Sequence, residues 1–220
     1  GAVDIIDVAS MTKIKTVPVN GAIHNVYVTP DSRYAVAGSI QTRTINVIDT
    51  ATDEVVWELE MDAGIRPMTF STNADGSTKS IFVQLSGFHG FAVVDFALQA
   101  EVARVELPAI PGQEAHYDGL QGAPAHGLGV PPDGKTVWAT SKVYSHAYVY
   151  SLPELEPVGQ IFVGQHPEWI TFTPDGKTAY IGAAGDHVTY AVDVERMETV
   201  AVIPVGQVPK RVGTVLMAVD

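Results

Sequence analysis

The sequence lacks cysteine, has few basic residues and contains no long apolar segment. The absence of cysteine excludes disulfides, thiolate metal sites, a cysteine nucleophile and haem attached through a Cys-x-x-Cys-His motif. The chain has 13 Lys and Arg against 25 Asp and Glu, and its formal net charge is −12. Such acidity argues against nucleic-acid binding, because a phosphate backbone requires a basic face. Since no apolar run approaches about 18 residues, we expect no membrane span.

Two short phrases recur along the chain. Thr173–Tyr180 restates Val130–Val137, and Thr29–Tyr34 is a third copy with the same Pro-Asp pair. The second phrase ends in an aspartate, at Asp7, Asp49, Asp95 and Asp193, with Ser151 as the counterpart between the last two. Successive intervals are 42, 46, 56 and 42 residues, and the longest contains an insertion, roughly Ala109–Gly122. Repetition at this period indicates copies of one supersecondary unit.

Each repeat alternates apolar and polar residues with period 2, which predicts strands rather than helices. In the last full repeat the predicted strands are Ile170–Phe172, Thr178–Ile181, Val188–Val192 and Thr199–Val205. Pro174-Asp175-Gly176 forms the first turn, because proline presets φ and glycine accepts a positive φ. Four antiparallel strands in about 42 residues are typical of a β-propeller blade.

The two ends of the chain predict a shared blade. Val3–Val8 and Lys13–Val19 match third and fourth strands, and Arg211–Leu216 matches a first strand. Pairing the ends would hide an exposed strand edge. We therefore predict one all-β domain over residues 1–220, a β-propeller of four-stranded antiparallel blades. The predicted count is five blades, one of them composite, and the alternative is a piece of a larger ring.

The repeated phrases resemble the YVTN β-propeller family. Val47–Thr52, Ile203–Gly206 and Thr173–Tyr180 carry the likeness, and the repeats cover nearly the whole chain. Relatives of this family include the haem-d1 domain of nitrite reductases, lactonase-type propellers and a streptogramin lyase. The resemblance implies a propeller and a periplasmic or secreted address, but it does not select a chemistry, because one fold hosts many functions.

The seven histidines are predicted to lie on one face of the propeller. His24, His126 and His166 lie in or beside the segments that lead into first strands, and His116 lies in the insertion. The remaining three lie in loops between second and third strands, at His89, His146 and His187. These loops share a face in a propeller. This face is the predicted binding surface, although short Gly- and Asp-rich turns on the opposite face would also displace histidine there.

Aligned on the first strand, five polar residues occupy equivalent positions: His24, Arg66, His126, Glu168 and Lys210. In a closed ring they would surround the mouth of the channel. His24, His126, His166 and Glu168 are candidate ligands of a divalent transition metal, since imidazole and carboxylate suit such ions. The cations Arg66 and Lys210 favour a small anion instead, with histidine as an acid or base. A solvated channel with internal ion pairs would also contain such residues.

The insertion is longer than a connector between blades requires, and long loops in compact domains are often functional. Glu114, His116 and Asp118 alternate within it. In an extended segment they would project on one side and contribute further metal or ligand contacts. A polar surface loop without such a role is the simpler interpretation.

Four functions remain open at this point. The first is a non-enzymatic propeller outside the cytoplasm that binds a small molecule or protein partner through the histidine-bearing face. The second is an enzyme of lyase, lactonase or redox type, metal-assisted or using His24 and His126 as acid and base. The third is a scaffold subunit of a larger complex, and the fourth, a haem protein, would need an axial histidine and a wide channel.

Overall fold

The structure is a computed structural model that describes residues 1–215, which form eighteen strands in five sheets. Within every sheet the strands are adjacent in the order in which they follow in the chain. The all-β fold, the antiparallel pairing and the count of five sheets confirm the predicted β-propeller fold class. Residues 1–215 contain no helix long and apolar enough to cross a membrane.

The first sheet has two strands and the next two sheets have four each. Sheet 1 contains β1 (Ala2–Asp7) and β2 (Thr12–Pro18). Sheet 2 contains β3 (Ile23–Val28), β4 (Tyr34–Ser39), β5 (Thr44–Asp49) and β6 (Glu54–Glu60). Sheet 3 contains β7 (Ile65–Thr72), β8 (Thr78–Leu85), β9 (Gly90–Asp95) and β10 (Ala100–Glu106).

The last two sheets also have four strands each and follow the long connection after β10. Sheet 4 contains β11 (Ala125–Gly129), β12 (Thr136–Ser141), β13 (His146–Ser151) and β14 (Pro157–Phe162). Sheet 5 contains β15 (Pro167–Phe172), β16 (Thr178–Ala183), β17 (Val188–Asp193) and β18 (Glu198–Pro204). The strands predicted for the last repeat are thereby confirmed.

The recurring aspartate ends a strand and caps the turn that follows it. Asp49 and Asp95 are the last residues of β5 and β9. Oδ1 of Asp95 accepts the backbone N–H of Ala97 at 3.0 Å and of Leu98 at 2.8 Å. Such local hydrogen bonds satisfy backbone donors in the turn. The phrase therefore recurs because every sheet needs this turn.

The Pro-Asp-Gly phrase forms the turn between first and second strands. In sheet 5 the Thr173 hydroxyl donates to Oδ1 of Asp175 at 2.6 Å, and the Lys177 N–H donates to the same oxygen at 3.1 Å. The hydrogen bond from Thr173 holds the pKa of Asp175 below its ordinary value. Gly176 has a φ of 71°, which glycine adopts without strain.

The described residues group into two compact units. The first contains Gly1–Ser86 and Ala92–Ala103, and the second contains Gly87–Phe91 and the chain from Arg104 onward. The core of the first unit includes Val36, Ile45 and Val47, all fully buried, and Phe96 packs there against Tyr34 and Trp57 with ring centroids 5.1 and 5.3 Å apart. The prediction of one domain over residues 1–220 stays a prediction.

The core of the second unit lies between sheets 4 and 5. Trp138, Val149, Ile181 and Val192 are buried together in one apolar cluster. The edge of the Trp138 ring meets Phe172, with centroids 5.9 Å apart. The alternating apolar residues of the repeats thus supply the two facing layers.

The C-terminal segment differs from its prediction. A first strand was expected over Arg211–Leu216, but residues 211–215 are not in a strand, and Leu216 lies outside the described residues. The segment nevertheless runs beside β15, because the Trp169 N–H donates to the Lys210 carbonyl at 3.3 Å and Thr214 meets Thr171 at 3.1 Å. Completion of sheet 1 by this segment stays a prediction.

Removing the Trp138 side chain should destabilise the protein strongly. The residue is 1% exposed, and Trp→Ala in a core costs about 3–5 kcal/mol through lost burial and a residual cavity. Tyr117→Ala is the matched control, since Tyr117 is 69% exposed and such a change alters stability by about 0.5 kcal/mol or less. Urea unfolding measures both. A Trp138→Ala variant as stable as the control would contradict this account of the core.

Candidate functional site

The equivalent polar position predicted from the repeats is the second residue of the first strand. It is occupied by His24 in β3, Arg66 in β7, His126 in β11 and Glu168 in β15. In all four sheets the pairing with the second strand shifts register at this position. Such irregularities redirect a side chain and are common beside functional sites. The fifth residue, Lys210, lies outside a strand, in the segment after β18.

Three buried ionisable side chains meet where sheets 4 and 5 begin. Nζ of Lys142 lies 2.7 Å from Oε1 of Glu168, and Nδ1 of His126 lies 3.2 Å from Oε2. The side chains of Lys142, Glu168 and His126 are only 1%, 6% and 2% exposed. The His126 contact has an ion-pair distance without hydrogen-bond alignment. We call these residues the buried triad.

Burying the three side chains of the buried triad lowers the stability of the fold unless their contacts offset the loss of hydration. Taking a carboxylate and an ammonium out of water costs several kcal/mol for each ion, and their attraction repays this only with good geometry. A pair of apolar residues of similar volume is often equally stable there. In sheet 5 the residues equivalent to Ser141 and Lys142 are Ala183 and Ala184, both buried. The fold therefore does not require a lysine at this position.

Trp169 connects the buried triad to the surface. Its ring meets that of His126 edge-on, with centroids 4.3 Å apart, and the Arg211 guanidinium lies 4.8 Å from the centre of the Trp169 ring. Arg211 is exposed and Trp169 is half-buried. A guanidinium stacked on a ring still directs its N–H donors outward along its edge. The stack therefore presents an aromatic surface and a cation directly above buried charges.

The insertion is held in place by hydrogen bonds to sheet 4. The His116 N–H donates to the Val143 carbonyl at 3.0 Å, and Nε2 of Gln113 donates to the Tyr144 carbonyl at 2.9 Å. At its other end, Nζ of Lys210 donates to Oε1 of Gln121 at 2.9 Å. These contacts fix the insertion against the turn that contains Lys142. The insertion therefore lies beside the buried triad.

His116 and His166 face each other across this region. Their ring centroids are 5.7 Å apart with the planes nearly perpendicular. Gly119 lies close to the His166 ring, since a Cβ at Gly119 would be 3.1 Å from Cε1. Burial lowers the pKa of His166, and the charges of Lys142 and His116 lower it further, against smaller opposing effects of Glu168 and Asp118. The net effect of these surroundings is to disfavour the protonated form of His166.

The exposed and half-buried residues around the buried triad form one group, which we call the cationic patch. It consists of His116, His166, Trp169, Lys210 and Arg211. Of the predicted residues, the structure brings together His116, His126, His166 and Glu168, and joins Lys210 to the insertion. All belong to the second unit.

The two remaining residues of the predicted ring, His24 and Arg66, belong to the first unit. His24 is exposed. Nε of Arg66 donates to the Ser86 hydroxyl at 2.8 Å. The prediction that all five residues surround one channel mouth stays a prediction.

The three loop histidines make local contacts that hold their loops. Nε2 of His89 lies 2.7 Å from Oγ of Ser141, and burial lowers the pKa of His89. Nδ1 of His146 lies 2.5 Å from the Tyr144 carbonyl, and Nδ1 of His187 accepts the Val208 N–H at 3.1 Å. These contacts account for the three side chains without a ligand.

The described residues contain no group of three or more His, Asp or Glu side chains placed to hold a metal ion. Of the predicted metal ligands, His126 and Glu168 are in contact, but Glu168 also binds the ammonium group of Lys142. A cation at a metal ligand opposes metal binding. In the insertion, Glu114 and Asp118 are exposed.

Sequence reasoning missed Lys142 and Arg211. One feature of the sequence could have indicated Lys142. It is a charged residue at a position where the next repeat has the small apolar Ala184. Trp169 carried no functional signal in the sequence, and its two ring contacts come from β11 and from the segment after β18. Arg211 carried no signal, because it lay in a stretch predicted to be a strand.

Comparison with solved structures shows the fold alone. A protein of unknown function from Desulfotomaculum acetoxidans is similar with a TM-score of 0.76 and 13% identity. A candidate 6-phosphogluconolactonase from Bacteroides fragilis is similar with a TM-score of 0.69 and 18% identity. Each alignment covers 94% of this chain but only 64% and 65% of the other, so the chain spans less than two thirds of their length. No family profile and no curated protein matches the sequence. The resemblance to YVTN repeats therefore stays a prediction.

The cost of the buried triad can be measured with a pair of variants. Lys142→Met leaves Glu168, 6% exposed, as a buried carboxylate without its cation, and such a change costs about 3–5 kcal/mol. Adding Glu168→Leu should recover most of this loss, because both charges are then absent. Chemical denaturation of both variants and the parent provides the test. A double variant less stable than Lys142→Met would mean that the charges serve the fold itself.

Proposed function

We propose that the second unit binds a small ligand at the cationic patch, and that this protein acts by binding. The observation that carries the proposal is the buried triad beneath a fixed insertion. Lys142 and Glu168 lie 2.7 Å apart with almost no exposure. Charges of this kind are costly for stability and concentrate at functional sites.

The residues of the cationic patch have complementary roles in this proposal. Trp169 offers a flat apolar surface, which small-ligand sites commonly combine with a few placed polar groups. His116, His166 and Arg211 supply hydrogen-bond donors around it. The buried triad holds the start of β15, and so Trp169, in one orientation. The insertion covers one side, since the His116 N–H is bound to Val143 at 3.0 Å.

We also propose that the protein works in the periplasm or outside the cell. The support is compositional, since the chain has no cysteine, and it agrees with the resemblance to YVTN-repeat proteins. Partners other than a small molecule are not needed for this proposal.

The fluorescence of Trp169 gives a direct test. A panel of sugars, sugar acids, amino acids and nucleotides would be screened by thermal shift. A ligand present at about 100 times its Kd stabilises a protein by about 2.7 kcal/mol. Ligands that raise Tm should also change tryptophan emission, and Trp169→Phe should remove that change.

Trp57→Phe is the matched control, because Trp57 packs against Phe96 in the first unit. This variant should keep both the thermal shift and the emission change. If stabilising ligands change the emission of Trp169→Phe as much as that of the parent, they bind elsewhere and the cationic patch is not the site.

A second candidate function is hydrolysis of a phosphorylated lactone. Two observations favour it: the fold is similar to that of a candidate 6-phosphogluconolactonase, and the pKa of His166 is lowered by burial. A neutral imidazole can take a proton from an attacking water. Arg211 and Lys210 would then contact the phosphate.

This alternative predicts a specific loss of activity. The parent protein should hydrolyse 6-phosphogluconolactone above the spontaneous rate, and His166→Ala should reduce kcat by about 100-fold or more, as for loss of a general base. His146→Ala should leave the rate unchanged, since Nδ1 of His146 contacts the Tyr144 carbonyl and its ring packs against Phe162. A parent rate equal to the spontaneous one would exclude this reaction.

A further inference from the structure

We infer that the ligand of the cationic patch is a small oxyanion, such as a carboxylate or a sulfate-like group, and that it binds together with a proton taken up by the His116–His166 pair. This inference rests on the proposed function and names the ligand class and the pH dependence of the same site. It follows from the balance of charge in the cationic patch and from the contacts of the two histidines.

The fixed charges of this region nearly cancel when both imidazoles are neutral. The cations are Lys142, Lys210 and Arg211. The carboxylates are Glu168, which binds Lys142 at 2.7 Å, and Asp118 and Glu114 in the insertion. Each proton added to a histidine then gives the region a net positive charge, and an arriving anion makes that proton favourable.

The donors of the cationic patch match an oxyanion better than a neutral or cationic ligand. Lysine and arginine have no acceptor atoms, and protonated histidine donates from both ring nitrogens. A carboxylate or sulfate only accepts, so each of its oxygens can meet one of these donors. A cationic ligand would find no acceptor atom on Lys210 or Arg211.

The contacts of His166 make it the proton acceptor. The groups that act on it come from three elements: Lys142 from the turn after β12, Glu168 from β15, and His116 with Asp118 from the insertion. His126 lies beneath, in contact with Glu168. In the free protein burial and Lys142 lower the pKa of His166. A bound anion offsets these effects and raises that pKa again, so binding takes up a proton between the two values.

Calorimetry with ions that do not titrate near neutrality tests the inference. Sodium sulfate and sodium gluconate would be titrated into the full chain at pH 6, 7 and 8, with glucose as the neutral match for gluconate. Each titration would be repeated in two buffers of different ionisation enthalpy, which counts the protons taken up. We expect either anion to bind about 10-fold or more tightly at pH 6 than at pH 8, because one proton taken up shifts Kd by up to tenfold per pH unit.

Variants identify the histidines that take up the proton when an anion binds. His116→Gln with His166→Gln should abolish proton uptake and flatten the pH dependence, while His146→Gln should retain both. The imidazole resonances of the unmodified protein provide a second measurement, which does not depend on whether the double variant folds. Saturating sulfate should raise the pKa of His166 and leave the ring resonances of His187, whose Nδ1 accepts the Val208 N–H, unchanged.

The outcomes separate this inference from the proposed function. If glucose or another neutral ligand binds at Trp169 and neither anion does, the inference is overturned and the proposed function stands. If an anion binds with the same affinity at pH 6 and pH 8, the proton coupling is overturned. If no ligand changes the Trp169 signal, both proposals are wrong. Preference for sulfate over gluconate, or the reverse, would support the inference and tell which oxyanion geometry the site accepts.

Discussion

Face-to-face packing of successive sheets is the constraint on which the second unit depends. Trp138 and Val149 from sheet 4 and Ile181 and Val192 from sheet 5 share one buried cluster. This contact needs apolar side chains on alternate residues of every inner strand. It also requires tight turns, which the capping aspartates and the Pro-Asp-Gly phrase provide. The alternation of apolar residues and the turn residues therefore recur in successive repeats, even where individual residues differ.

At the start of each first strand, the register shift removes the need for an apolar side chain between the sheets. There the side chain after the first paired residue is no longer obliged to fill the layer between sheets. His126 and Glu168 occupy this position in sheets 4 and 5, and Lys142 reaches Glu168 from the end of β12. The buried ionisable side chains of sheets 4 and 5 thus lie at one end of these sheets, beside the apolar cluster that contains Trp138 and Ile181.

The histidines of the second unit outside the buried triad fall into two classes, which differ in the groups that they contact. His89, His146 and His187 each complete a hydrogen bond within or beside a loop. His116 and His166 instead meet each other, with their ring centroids 5.7 Å apart, next to buried charges. The first class is explained by local structure. The second class belongs to the cationic patch, beside the buried triad.

The sequence alone determined the strands of the last full repeat, the turns and the equivalence of His24, Arg66, His126 and Glu168, because these depend on local alternation and on repeat spacing. It wrongly predicted a strand beginning at Arg211. It also indicated that the insertion deserved a functional hypothesis. Only the tertiary structure decided that Lys142 joins Glu168, that Arg211 stacks on Trp169 and that His116 faces His166. These contacts join residues from different sheets and loops, and no periodicity within one strand encodes the partner of a side chain across such a distance.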